Sequence, residues 1–143
     1  MTTLARTLAA SLLAALCLVL SACSTGAGSK PDALDRSLYD YSGAIRWNNF
    51  EVAYEAIDPE VKKARPVTAF ELERMKQVQV TRYDLVSSTM LDDGRIEREV
   101  EIGLINRHTQ TERTVRVRET WRFDEEAQRW WQTDGLPDFS RQR

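Results

Sequence analysis

Two residues of opposite charge fall on the apolar face of two neighbouring predicted β-strands. Arg98 alternates with Val100 and Ile102, and Glu119 alternates with Val117. The expected strand pairing places Arg98 and Glu119 at diagonal positions on adjacent strands. An ion pair on the inner face of a sheet costs free energy unless it is well hydrogen-bonded, so the pair requires an explanation.

Two interpretations of this pair are open. It forms either the polar end of a ligand pocket, to which Tyr83 or Tyr54 would add a hydroxyl group, or a structural ion pair near the rim of the sheet. We favour the structural pair, because structural ion pairs perturb their surroundings as readily as catalytic groups do.

Acid–base chemistry in such a pocket needs a carboxylate or an imidazole with a tuned pKa. Asp84 shares a predicted face with Val78 and Val80, so it is the one plausible inward carboxylate besides Glu119, although it could equally cap a strand end. The single histidine, His108, falls in a predicted turn, and one histidine rules out a multi-histidine metal site. We therefore assign no catalytic residue, metal ion or cofactor, and the sequence does not support an enzyme.

The C-terminal tryptophans supply a candidate interface. If Phe123 pairs with Arg129, Trp130 points outward near Arg122. An exposed tryptophan beside an arginine has the composition of an interface hot spot. The same two side chains could instead form a cation–π pair that a helix or the tail 136–139 covers.

The elements that must position these residues begin with helices. Apolar residues recur at three- and four-residue spacing from Leu34 to Ile57 and are interrupted at Asn48-Asn49. This pattern predicts a bent helical pair, with Asp32 capping its first part and Asn48 its second. Asp58-Pro59 and the capping box of Thr68 and Glu71 predict two further short helices.

From Val78 onward the apolar residues alternate with polar ones. This period of two predicts strands over 78–87, 96–106, 111–123 and 129–133, joined by polar turns. Helices followed by an antiparallel meander define an α+β domain.

The pairing of the second and third strands can be tested against their charges. If Ile105 pairs with Gln110, Val100 lies opposite Val115 on the inner face. The outer face then carries a ladder of opposite charges, with Glu99 opposite Arg116 and Glu97 opposite Arg118. A one-residue slip would expose the apolar side chains, so the pattern specifies which face is buried.

The N-terminus carries a secretion signal. One positive charge, Arg6, precedes an uncharged, Leu- and Ala-rich run over 7–20 that ends in small residues. The run is shorter than the roughly 20 apolar residues that span a bilayer. Its end, Leu20-Ser21-Ala22-Cys23, resembles the lipobox of bacterial lipoproteins. The resemblance implies that residues 1–22 are removed and that Cys23 carries diacylglycerol and an amide-linked acyl chain such as palmitate; the alternative is ordinary secretion with an incidental cysteine.

The rest of the chain is expected to be one anchored domain. Residues 23–31 have the composition of a flexible tether, and residues 32–143 are long enough for a single core. By the same resemblance, Ser24 after the cysteine implies the outer membrane, with the domain facing the periplasm. Cys17 leaves with the signal, so no disulfide is available. The net charge of −2 argues against a nucleic-acid partner.

The order of elements over residues 32–139 resembles the nuclear-transport-factor-2-like fold, a cystatin-like cone of helices on a curved antiparallel sheet. The resemblance rests on a long bent helix, short helices, and long strands with a tryptophan-rich end, Trp121-Arg122-Phe123 and Arg129-Trp130-Trp131. That family includes ketosteroid isomerases, dehydratases and polyketide cyclases, and also non-catalytic binding and assembly domains. Its members often dimerise through the open sheet face. The chain is also similar to proteobacterial lipoproteins that carry no established activity.

These inferences lead to one expected function and one alternative. We expect a lipid-anchored envelope protein with a non-catalytic binding or assembly role, whose partners are the membrane, an envelope protein or a second copy of itself. The alternative is a small-molecule-binding or lyase- or isomerase-like enzyme that uses Glu119, Arg98 and Asp84 inside the cone.

Overall fold

The structure is a computed structural model that describes residues 29–139, which form four helices and four strands. The helices are α1 (Lys30–Arg46), α2 (Phe50–Glu55), α3 (Pro59–Ala64) and α4 (Ala69–Met75). The strands are β1 (Val78–Met90), β2 (Ile96–Asn106), β3 (Glu112–Asp124) and β4 (Arg129–Gln132), in one antiparallel sheet of order β1-β2-β3-β4. The predicted α+β class, with helices before a curved antiparallel sheet, is confirmed.

Helix α1 begins earlier than the sequence predicted. Ser29 is its N-cap, and Asp32 is the third helical residue of a reciprocal capping box rather than the cap itself. The Ser29 hydroxyl accepts a hydrogen bond from the Asp32 amide at 3.3 Å, and the Asp32 carboxylate accepts one from the Ser29 amide at 3.2 Å. The last residues of the predicted tether over 23–31 therefore belong to the folded domain.

The two asparagines between α1 and α2 have different roles. Asn49, and not the predicted Asn48, caps α2, where its side chain accepts from the Val52 amide. Asn48 adopts a left-handed backbone with φ of 57°, a conformation that asparagine tolerates better than most residues. Its side chain reaches β1, donating to the Val78 carbonyl at 2.6 Å and accepting from the Val80 amide at 3.0 Å.

The short helices start where local chemistry predicted. Asp58 caps α3 with Pro59 in its first turn. Thr68 caps α4, and the Thr68–Glu71 capping box is complete in both directions. Within residues 29–139, the helices are too short or too polar to cross a bilayer.

The register between β2 and β3 differs by two residues from the prediction. Ile105 lies opposite Glu112, so Val100 faces Val117 instead of Val115. The cause is the loop, because six residues, 106–111, separate Ile105 from its partner instead of the expected four, 106–109. The Asn106 side chain organises this turn by accepting hydrogen bonds from the amides of residues 108 and 109. An even shift leaves every side chain on its predicted face. The outer charge ladder persists, with Arg116 at 3.4 Å from Glu101 and Arg118 at 3.8 Å from Glu97.

Helix α1 crosses the inner face of the sheet from β4 to β1. At its first turn the Trp130 indole donates to the Lys30 carbonyl at 3.0 Å. In its middle the ring of Tyr41 packs edge-on against Trp121, with 5.3 Å between ring centroids. The core between the helices and the sheet contains Tyr41, Ile45, Phe50, Ala53, Ile57, Val80, Val100, Ile102, Leu104 and Trp121.

Candidate functional site

Arg98 and Glu119 form a buried ion pair at the centre of the sheet. They lie directly opposite each other on β2 and β3, not diagonally as predicted, because of the two-residue difference in register. The Arg98 Nη1 atom is 3.2 Å from Oε2 of Glu119. Glu119 is 1% exposed and Arg98 is 7% exposed, so neither side chain offers a charged surface to solvent.

Two further donors complete the surroundings of Glu119. The Tyr83 hydroxyl donates to Oε1, and the Trp121 indole nitrogen lies 3.4 Å from Oε2. Each carboxylate oxygen therefore accepts at least one hydrogen bond from the protein. Within residues 29–139, every fully buried side-chain nitrogen or oxygen has a hydrogen-bond partner. The group is a closed polar network inside an apolar core.

Burial governs the proton affinities of this network. It raises the pKa of Glu119 above the ordinary value of 4.5, and the Tyr83 hydrogen bond and the Arg98 charge offset the loss of water only in part. Burial and the neighbouring Glu119 carboxylate also raise the pKa of Tyr83. The phenol therefore remains protonated and serves as a donor.

Asp84 does not join the network, and its predicted inward orientation was wrong. Its side chain is 58% exposed and pairs with Arg82 at 2.9 Å on the outer face. The strand register shifts between Val80 and Arg82, and such a bulge inserts one residue and reverses the faces that follow. Tyr83 therefore points inward and Asp84 points outward, which is the reverse of what unbroken alternation predicts.

Tyr54 also lies apart from the network. Its hydroxyl accepts a hydrogen bond from the Val67 amide at 3.2 Å, in the loop that precedes α4. The Lys62 ammonium lies over its ring at 5.1 Å from the centroid. Of the five predicted pocket residues, only Arg98, Glu119 and Tyr83 meet.

The predicted outward orientation of Trp130 was wrong. Phe123 pairs with Trp130, and Asp124 pairs with Arg129, so β4 is displaced by one residue and its faces are exchanged. Trp130 is 5% exposed and packs against Phe123 at 5.4 Å between ring centroids. The tail covers a different part of the core, where Phe139 contacts Phe50 at 5.7 Å.

Arg122 has a structural partner on the opposite side of β3 from Trp130. Its Nε and Nη2 atoms lie 2.8 and 2.6 Å from Oδ2 of Asp58, the N-cap of α3. Trp131 occupies the outward position instead, half-buried, with the Arg129 guanidinium 3.9 Å from its ring centroid. Arg122 thus fastens α3 to the sheet.

A cavity that sequence reasoning missed lies between the short helices and the C-terminal segment 135–139. Its volume is about 370 Å³. Apolar side chains including Ile57, Met75 and Phe139 line it, together with Arg65 and Arg74. No local pattern could have revealed it, because its walls come from distant parts of the chain.

A second cavity, of about 460 Å³, lies against the charge ladder. Glu97, Glu99, Arg116 and Arg118 line it together with the segment 134–138. These ladder charges pair with one another.

His108 is exposed in the β2–β3 turn, as predicted. Residues 29–139 contain no cluster of His, Cys, Asp and Glu that could hold a metal ion.

Large apolar side chains are also exposed on the described surface. They are Tyr39, Trp47, Val52, Phe70, Leu85, Val86 and Met90, and Trp47 is the most exposed at 82%. Trp47 falls outside the predicted apolar stripe of α1, so the sequence did contain a signal for its exposure.

The structure thus defines an α+β domain in which helices cover one face of a four-stranded antiparallel sheet around a closed polar network. Comparison of the chain with protein-family models, with curated proteins and with solved structures gave no match. Cys23 and the predicted signal over 1–22 lie outside the described residues.

Proposed function

We propose that this chain is a lipid-anchored protein of the bacterial envelope with a non-catalytic binding or assembly role. The sequence Leu20-Ser21-Ala22-Cys23 supports the anchor. Helix α1 begins at Lys30, so the chain from the acylated Cys23 to the domain would reach about 25 Å at full extension. The domain would therefore stay close to the periplasmic surface of the outer membrane.

The non-catalytic part of the proposal rests on the closed surroundings of Glu119. A general acid or base must come within about 2.6–3.2 Å of the proton that it transfers. Both Glu119 oxygens are occupied by Arg98, Tyr83 and Trp121, and the side chain is almost fully buried. A substrate could reach Glu119 only by displacing one of these donors.

The fold supports the proposed kinship with the nuclear-transport-factor-2-like domains. Helices precede a curved four-stranded antiparallel sheet, and α1 crosses its concave side. An assembly role in that class of domain needs exposed contact surface. Trp47, and not Trp130, is the aromatic side chain that the described surface presents most fully.

One observation favours the enzymatic alternative. The pKa of Glu119 is raised by burial, and perturbed carboxyl groups are common at catalytic sites. A lyase or isomerase would need Tyr83 to release Glu119 when substrate binds. Crystals soaked with small carbonyl compounds would distinguish the two cases: a compound in contact with Glu119 supports the enzyme, and an unchanged Tyr83–Glu119 contact supports the binding domain.

The anchor can be tested with a matched pair of cysteine variants. Cys23→Ser should abolish labelling by radioactive palmitate and release the protein from membranes. Cys17→Ser lies in the segment predicted to be removed, so it should retain both the label and the membrane fraction. Density-gradient separation of the two membranes then tests the outer-membrane assignment. Labelled, membrane-bound Cys23→Ser protein would refute the proposal.

A further inference from the structure

We propose that the 370 Å³ cavity beside the C-terminal segment binds a small amphiphilic carboxylate, with its apolar body inside and its carboxylate at Arg74 and Arg65. The cavity lies apart from the Glu119 network, and the inference does not depend on the lipid anchor. It extends the binding role by naming a ligand class.

The inner wall of the cavity is apolar. Ile57 and Phe139 are buried in the core, and the half-buried side chains of Val61, Met75 and Leu136 surround them. The volume falls in the range of about 300–1,000 Å³ that is usual for small-molecule sites, which combine apolar walls with a few polar groups. An aliphatic or aromatic body of moderate size would fit against these side chains.

The two arginines at the cavity form no ion pair with a carboxylate of residues 29–139. The Arg74 side chain makes no hydrogen bond or ion pair with residues 29–139. Arg65 donates through Nη2 to the Asp134 carbonyl at 2.9 Å. Guanidinium groups bind carboxylates through parallel, charge-assisted hydrogen bonds.

The acidic residues at the cavity are already engaged. The Glu71 carboxylate accepts from the Thr68 amide and hydroxyl, both at 2.8 Å, in the capping box of α4. These bonds, with smaller contributions from the charges of Arg74 and Arg65, lower the pKa of Glu71. Asp138 also has a partner of its own. These carboxylates accept no hydrogen bond from the arginines, so guanidinium N–H donors remain available to an anion at the cavity.

The chain positions Arg65 through a specific turn. Gly135 has a φ of +88°, and a Cβ atom there would lie 2.6 Å from Nη2 of Arg65. The buried Gln132 side chain accepts from the amides of Asp134 and Gly135 at 3.0 and 2.8 Å. The glycine thus leaves room for the guanidinium at the cavity mouth, and the turn that holds it is itself fixed by hydrogen bonds.

The methyl groups of two methionines provide a direct test. Met75 lines the cavity, whereas Met90 is exposed on β1 and serves as an internal control. The full chain, with ¹³C-methyl methionine, is titrated with 4-phenylbutyrate and with its neutral amide in non-ionic detergent. We expect a saturable shift at Met75 with the carboxylate, little change at Met90, and binding of the amide that is weaker by about tenfold or more, equivalent to about 1.4 kcal/mol.

Arginine variants identify the anion contact. Arg74→Gln and Arg65→Gln should each weaken binding of 4-phenylbutyrate by about tenfold. Arg36→Gln is the matched control, since Arg36 is exposed on α1 away from the cavity, and it should bind as the wild type does. An unchanged Met90 resonance verifies folding of each variant. Absence of a saturable Met75 shift, equal shifts at Met75 and Met90, equal binding of the amide, or full binding by both cavity variants would overturn the inference.

Discussion

Removing both members of the Arg98–Glu119 pair should destabilise the domain by less than the sum of the two single removals. The pair is buried with 3.2 Å between Nη1 and Oε2. Leaving one buried charge without its partner costs about 3–5 kcal/mol, whereas replacing both by apolar side chains is often neutral or stabilising. The informative variants are Arg98→Met, Glu119→Leu and their combination.

The structure also predicts the order of the two single variants. Glu119→Leu removes the acceptor of three donors, Arg98, Tyr83 and Trp121, so its cost should approach about 5 kcal/mol. Arg98→Met leaves Glu119 with two donors and a raised pKa, which allows it to bind a proton. Its cost should lie nearer about 3 kcal/mol.

Urea denaturation followed by tryptophan fluorescence measures these free energies of unfolding. In the double variant the buried charges disappear, although Tyr83 and Trp121 still lack their acceptor. Its cost should therefore fall below the sum of the two single costs by about 2 kcal/mol or more. Additive costs, or a larger cost for Arg98→Met than for Glu119→Leu, would refute the interpretation of the pair as a mutually neutralising network.

Three further predictions concern proton binding, packing and backbone space. The pKa of Glu119 is higher in the folded state than in the unfolded state. Its contribution to the free energy of unfolding is therefore complete below pH 4.5 and is lost as the pH rises through the folded-state pKa. Glu119→Gln should remove this component from the measured pH dependence of stability. Trp130→Phe should cost about 1–2 kcal/mol and increase amide exchange in the first turn of α1, since its indole bonds a carbonyl there. Gly103→Ala should cost about 1–3 kcal/mol, because the new Cβ atom would lie 2.7 Å from Thr81 Oγ1. Gly43→Ala has open space around it and should stabilise α1 by about 0.5–1 kcal/mol. Thermal unfolding measures both changes, and equal effects of the two variants would contradict this reasoning.

Helix starts were the features best predicted from the sequence, because their chemistry is local. The Thr68–Glu71 capping box and the Asp58-Pro59 start each involve residues only a few positions apart, and both formed as predicted. The cap of α1 was misplaced because Ser29 competes with Asp32 for the same role, and the two share it in one capping box.

The errors in the candidate site arose from single inserted residues. A bulge before Arg82 reversed the face of Asp84, and a one-residue difference in the β3–β4 pairing buried Trp130. Residue alternation cannot locate such insertions, because it specifies a face only after the register is known. The cavity beside Arg65 and Arg74 was missed for a different reason, since it forms between segments far apart in the chain.

The buried ion pair can determine the strand register, which the hydrophobic pattern leaves undetermined. Between β2 and β3, apolar alternation excludes registers that differ by one residue but tolerates those that differ by two, because an even shift preserves the buried face. In the predicted register Arg98 would lie opposite Val117 and diagonal to Glu119, at about 7–8 Å instead of the roughly 4.5–5.5 Å of a direct pair, which weakens the pairing of the two buried charges. In the structure Arg98 lies opposite Glu119. A penalty of several kcal/mol for each unpaired buried charge is larger than the differences between apolar cross-strand pairs. The pair can thus select one register among those that the apolar residues permit, which gives the two charged side chains in this core a structural role.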